Sequence, residues 1–248
     1  MTVTERTRRT RWVAGSAVAL AVLFAGAATV ASARDDGADR QATGSESAPR
    51  TPAADSADAG FAQDMAVHHQ QAVEMSFIVR DRTRDEDVRR FAYDIANTQA
   101  NQRGMLLGWL DLWELPKVAA GQEPMAWMAG GSGAGGHDGH DTGDMDGMDG
   151  MPGHGGGYQG HDGSLMPGMA TRTELGRLRR ADGKQAEILY LQLMTDHHKG
   201  GIDMARGCAS LCTVTAEKRL ARGMVEAQQS ELDAMAGMLA KRGSAPRA

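Results

Sequence analysis

From Phe61 onward, apolar or small side chains return in alternating steps of four and three. Phe61, Met65, Ala72, Met75 and Val79 keep this rhythm once His68 is counted among them. Such spacing lays one stripe along one face of a helix and predicts a helix over about 59–82. Charged residues from Arg80 to Asp87 break the pattern. A second helix carrying Val88, Phe91, Ala92, Ile95, Leu106 and Trp109 is expected to run to Leu115, where Pro116 stops it. Towards the C-terminus, a short helix over about 173–180 ends at Asp182-Gly183. Helices over about 184–209 and 215–241 follow, with Cys212 in the turn between them. Strand-like alternation is absent, so the fold class is all-α.

The two long hairpins are copies of each other. Met65, His68, His69 and Met75 return as Met194, His197, His198 and Met204, each 129 residues later. At the same offset Glu74 becomes Asp203, Gln99 becomes Gln228, Arg90 meets Arg219 and Leu110 meets Leu239. A gap-free match across both helices of each hairpin points to duplication. Two hairpins, each with one apolar face, bury those faces best against each other, which implies a four-helix bundle.

Between the copies the composition changes. Residues 130–163 hold fifteen Gly, six Asp, four His and three Met, within a loop expected over 116–170. Such a segment cannot fill a core. Its His137, His140, Met145, Met148, Met151, His154 and His161 read as an auxiliary, exchangeable metal-capturing arm, because spacing alone would need only Gly and Ser.

Before the first hairpin, Arg6, Arg8, Arg9 and Arg11 precede an uncharged run from Trp12 to Val30 and then Ala31-Ser32-Ala33. Residues 1–33 read as a secretory signal with an A-x-A cleavage site, or as an uncleaved membrane anchor. Residues 34–58 read as a solvated linker. The whole chain carries a formal charge of −5, and removing four Arg and Glu5 with the signal brings it to −8. An acidic, exported chain attracts cations and offers no basic footprint for nucleic acid. Any contact with a membrane is expected only through the N-terminal segment.

The chemistry sits on the repeated stripe. His68 and His197 fall on it, and His69 and His198 lie about 100° further round. Antiparallel return places Gln99 opposite His68, Gln102 opposite Met65, Gln228 opposite His197 and Glu231 opposite Met194, a polar layer inside an apolar seam. Buried polar groups need partners. Imidazole suits several metals, whereas thioethers select soft Cu(I), so Met65, His68, His69, Met75, Met194, His197, His198 and Met204 form a candidate copper site. Phe91, Trp109 and Trp113 are expected to wall it. The plainer alternative is a pair of core histidines bonded to Gln99 and Gln228, with methionine as plastic filler. Cys208, matching Val79, and Cys212 read as a local disulfide, favoured outside the cytoplasm, with a thiolate extension of the copper site as the alternative.

Asp64-Met65-Ala-Val-His68-His69, Leu193-Met194-Thr-Asp196-His197-His198, Met166-Pro167-Gly168-Met169 and Ala227-Gln228-Gln229-Ser-Glu231 together resemble a ferritin-like secreted bacterial family catalogued as domain of unknown function 305. The likeness spans about 59–115 and 165–242. It implies a ferritin-like four-helix fold made of two repeated hairpins with a long Gly/His/Met insertion. For some members it also implies extracytoplasmic copper binding and copper tolerance through Met and His.

Copper, with Ag(I) as congener, is therefore the expected bound ion, held for sequestration or passed to an envelope metal-transfer protein. A di-iron oxidase is the competing reading, but it needs Glu-x-x-His pairs, and neither His68 nor His197 has Glu three residues before it. A metal-free bundle binding another envelope protein is the third. No Gly-x-Ser-x-Gly elbow or other activated nucleophile supports an enzyme.

Overall fold

A computed structural model describes residues 51–129 and 158–247. Among them lie six helices: α1 (Ala57–Arg82), α2 (Glu86–Leu112), α3 (Ala126–Ala129), α4 (Arg172–Arg180), α5 (Gly183–Leu211) and α6 (Thr215–Lys241). Both ends of α6 lie 129 residues after the matching ends of α2, and the C-terminus of α5 follows that of α1 by the same step. The duplication is therefore written into the helix boundaries as well as the side chains. Among the described residues, no helix is long and apolar enough to cross a membrane.

The helix ends follow local chemistry. Ser56 accepts the Ala59 amide at the start of α1, and Asp85 accepts the Val88 amide at the start of α2. At its other end α2 stops three residues short of Leu115, because Glu114 turns left-handed at φ 56°. The Leu115 amide then reaches back to the Leu110 carbonyl, which is the pattern of a Schellman close. Gly243, at φ 67°, does the same for α6, with the Ser244 amide on the Leu239 carbonyl.

Helix α1 packs on α2, α5 packs on α6, and the hairpins meet through α1 and α5. Each hairpin's turn is held by an acid from the other. Asp58 of α1 accepts the Thr213 and Val214 amides at 2.8 and 2.7 Å, and Glu187 of α5, its counterpart in the second copy, accepts the Thr83 hydroxyl and Arg242 Nε. Asp58 is thus buried within α1, not part of a linker ending at residue 58.

Two apolar clusters result, one at each end of the helices. One gathers Ala72, Met75, Val79, Val88, Ile95, Tyr190, Met194 and Leu239; the other gathers Phe61, Met65, Leu106, Leu110, Met204, Cys208 and Met224. All four long helices contribute to both. Phe91 packs against the first cluster and Trp109 and Trp113 against the second, so these aromatics do not wall a common site.

The flanks of the long loop also belong to the core. Asp64 accepts the Met125 amide and Trp127 Nε1, which seats α3 with Trp127 buried. The Gln71 side chain takes the Ala170 amide and gives to the Ala170 carbonyl, pinning the chain just after Met166-Pro167-Gly168-Met169. That tetrapeptide lies on α5, where Gly200 has no Cβ to obstruct it: an added Cβ collides with the Pro167 carbonyl.

Gly200→Ala is expected to destabilise by about 1–3 kcal/mol, because backbone on both sides resists the added methyl. Gly104→Ala, on exposed α2 with open space around it, is expected to gain about 0.5–1 kcal/mol from helix propensity. Urea unfolding of the two variants beside wild type checks the opposite signs.

Candidate metal centre

Between the two apolar clusters lies a polar layer at the crossing of α1 and α5. There the rings of His68 and His197 stack with centroids 3.8 Å apart and planes tilted by 32°. His197 Nε2 donates to the His68 carbonyl at 3.0 Å. The residues one step round each helix face the companion helix of the same hairpin instead. His69 Nε2 meets Gln102 Oε1 at 2.8 Å, and His198 Nε2 meets a Glu231 carboxylate oxygen at 2.7 Å. All four imidazoles are fully buried.

This pairing corrects the expected register. Gln102 and Glu231 serve the second histidine of each pair rather than facing Met65 and Met194. Gln99 is buried without a hydrogen-bond partner for either side-chain atom, so it is not the partner of His68. Gln228 lies against Gly201, where an added Cβ comes within 2.6 Å of its Oε1.

Carbonyl and carboxylate oxygens only accept, so their contacts place a proton on Nε2 of His69, His197 and His198. Nδ1 of each is then left without a partner, and the polar neighbour of the His68 ring is the Pro167 backbone. Burial holds His68 and His69 near a pKa of about 3, and burial together with the charges of His68 and His198 holds His197 well below the ordinary histidine range. A neutral imidazole with an unused, buried lone pair is costly to leave alone and is the form that binds metals. A carboxylate or amide behind the imidazole, as Glu231 and Gln102 are, orients the ring in metal sites.

The methionines divide between the two sides. Met65 and Met204 line one face of the layer and Met75 and Met194 the other, all fully buried. Antiparallel crossing explains the exchange, since the residue three before one histidine lies level with residues after the other. Buried Met166 and half-buried Met169 join the side of Met65 and Met204. Helical spacing does not reach these two methionines, which lie outside the repeat; the adjacent glycines Gly200-Gly201 inside a helix are the sign in the chain of a close backbone approach.

The donors fit a soft ion better than a carboxylate-rich one. No three His, Asp or Glu donor atoms of the layer lie within 4.8 Å of one another. The layer offers imidazoles and thioethers with Glu231 as its acid, so a di-iron arrangement lacks its ligands. His161, on the loop, is exposed in a turn with Ser164 and packs near Tyr158. His137, His140, Met145, Met148, Met151 and His154 lie outside the described residues, as does the segment read as signal.

The family profile described as Domain of unknown function (DUF305) matches residues 58–239. The chain belongs to the DUF305 family. Among solved structures, a DUF305 protein from Streptomyces coelicolor, described as a candidate secreted protein, is 57% identical. The match has a TM-score of 0.63 and covers 79% of this chain and 99% of that one. A DUF305 fragment from Deinococcus radiodurans is 25% identical, with a TM-score of 0.53 over 75% of this chain and 96% of that one. No curated protein matches this DUF305 chain.

Unfolded histidine protonates near 6.5, whereas His68 and His69 resist protonation to about 3. Across that window the unfolded chain binds more protons, so these groups' contribution is complete above about pH 6.5. It is lost towards pH 3 at about 1.4 kcal/mol per pH unit for each histidine. Urea midpoints between pH 7 and 4 will show the fall, and His69→Gln will flatten it by one histidine's share. An unchanged slope in that variant refutes a buried neutral His69.

Proposed function

We propose that this DUF305 protein is an extracytoplasmic metal-binding protein whose buried His/Met layer takes copper, chiefly as Cu(I), with Ag(I) as congener, for sequestration or transfer under metal stress. The observation that carries this reading is the set of buried Nδ1 atoms of His69, His197 and His198, unpartnered while the opposite nitrogen of each ring is held by an acceptor. Structural histidines have no need of that arrangement, and ligands do. Met65, His68, His69, Met75, Met194, His197, His198 and Met204 would hold the ion. Thioether and imidazole donors together favour Cu(I), which needs few ligands.

Location is supported by the Arg-flanked apolar N-terminus and by the description of the Streptomyces relative. The acidic mature chain favours cation capture, and the Gly/His/Met segment would raise the local ion concentration near the core. The pairing of two hairpins through α1 and α5 supports the four-helix-bundle reading, and with it the ferritin-like one that the resemblance implied. An envelope metal-transfer protein is the partner this role calls for.

Anaerobic titration of the mature chain against a chromogenic Cu(I) chelator tests the reading. Wild type is expected to withdraw at least one Cu(I), and the His68→Gln, His197→Gln double variant to lose the tight ion while keeping its helical circular dichroism. Full affinity in a folded double variant would move the binding to the Gly/His/Met segment and overturn the layer's role.

A further inference from the structure

One helical turn beyond Met204, at the turn between α5 and α6, a different set of donors converges. Cys208 and Cys212 form a disulfide. Their sulfurs and a carboxylate oxygen of Glu217 lie within 4.8 Å of one another, and among the described residues no other set of three His, Cys, Asp or Glu does so. All three residues are buried, and the protonated Glu217 carboxyl donates to the neighbouring Asp58 carboxylate. Burial and the nearby Asp58 charge push the Glu217 pKa up to about 9, so the acid sits neutral beside the sulfurs.

The duplication supplies an internal control. At the matching positions the first copy carries Val79, Thr83 and Val88, also buried and packed at the equivalent turn. Packing this corner of the fold therefore requires neither sulfur nor acid. The second copy departs from the first at all three positions at once, and the donor atoms of the three replacements lie within 4.8 Å of one another. A buried acid kept protonated beside Asp58 carries a cost that the first copy avoids with Val88, and a cation held by the two sulfurs and the Glu217 carboxylate would offset that cost.

We propose that Cys208, Cys212 and Glu217 form a redox-gated site for a divalent thiophilic cation of the Zn(II) type, shut while the disulfide is closed. A dithiol reductant opens it. The S–S bond breaks, the reductant gives up two electrons and two protons and becomes a disulfide, and Cys208 and Cys212 become thiols. Cation binding then displaces the two thiol protons and the Glu217 proton, leaving two thiolates and one carboxylate on the ion, a recognised sulfur-oxygen donor set. Access comes through the turn, where Cys212 caps α5 between exposed Thr213 and the exposed start of α6.

The mature chain, reduced anaerobically with a water-soluble phosphine and then given Co(II) as a spectroscopic probe, tests the site. The reduced wild type is expected to bind about one Co(II) with a thiolate-to-cobalt charge-transfer band that Zn(II) abolishes, and the disulfide form to show no such band. Glu217→Gln should keep two titratable thiols yet lose Co(II) affinity by about tenfold or more. Cys208→Val with Cys212→Thr, which restores the residues of the first copy and so keeps the packing, should abolish the band. Retention of the band in His68→Gln, His197→Gln separates this site from the copper layer. A reduced wild type with two free thiols and no band, or a Glu217→Gln variant with wild-type affinity, overturns the proposal.

Discussion

The crossing of α1 and α5 at His68 and His197 is the constraint from which the rest of the architecture follows. With ring centroids 3.8 Å apart, two imidazoles occupy the place where two aliphatic side chains would ordinarily interdigitate. Each hairpin must then turn its second histidine towards its own companion helix, where Gln102 or Glu231 receives it. The apolar residues are driven to the two ends, which is why there are two clusters and why each draws on all four long helices. A polar layer of this kind is poor at stabilising and good at specifying: any shift of register between α1 and α5 would carry His197 away from the His68 carbonyl that receives it.

The duplication makes deviations informative. Where the copies agree, as in the Met/His-His pattern and the acids Asp58 and Glu187 that hold opposite turns, one physical requirement has been met twice. Where they differ, the fold has tolerated a change. Glu114 accepts the left-handed conformation that Gly243 adopts freely, a local strain of about 1 kcal/mol. Gln102 and Glu231 differ in charge at equivalent places, so only the second histidine pair has a carboxylate behind it. At Cys208, Cys212 and Glu217 the difference is concentrated in three neighbouring residues.

Much of this could be read from the chain because both signals were periodic. Steps of three and four gave the long helices, and the offset of 129 gave the hairpins and the residues Met65, His68, Gln99 and their counterparts. What periodicity could not give was rotation. His68 and His69 differ by about 100° around one helix, and only the crossing angle decides which meets the other hairpin and which meets α2. The seat of α3 was equally hidden, since it depends on Asp64 reaching two donors 61 and 63 residues away. Glu217 stands out only among the mismatches between the copies, where it replaces the apolar Val88.

Charge distinguishes the two proposed sites more sharply than their ligands do. In the layer, burial disfavours any ionised imidazole at His68, His69 and His197, and Glu231 is the acid in contact with the histidines. A monovalent ion brought there is balanced by that one carboxylate, whereas a divalent ion would leave a net positive charge in an apolar interior. At the α5–α6 turn the balance is reversed, because two thiolates and Glu217 together call for at least two positive charges. The layer's thioethers add no charge of their own, so they would leave unchanged which ion the interior accepts. On the proposed reading, the interior would select copper's oxidation state by charge first and by donor softness second.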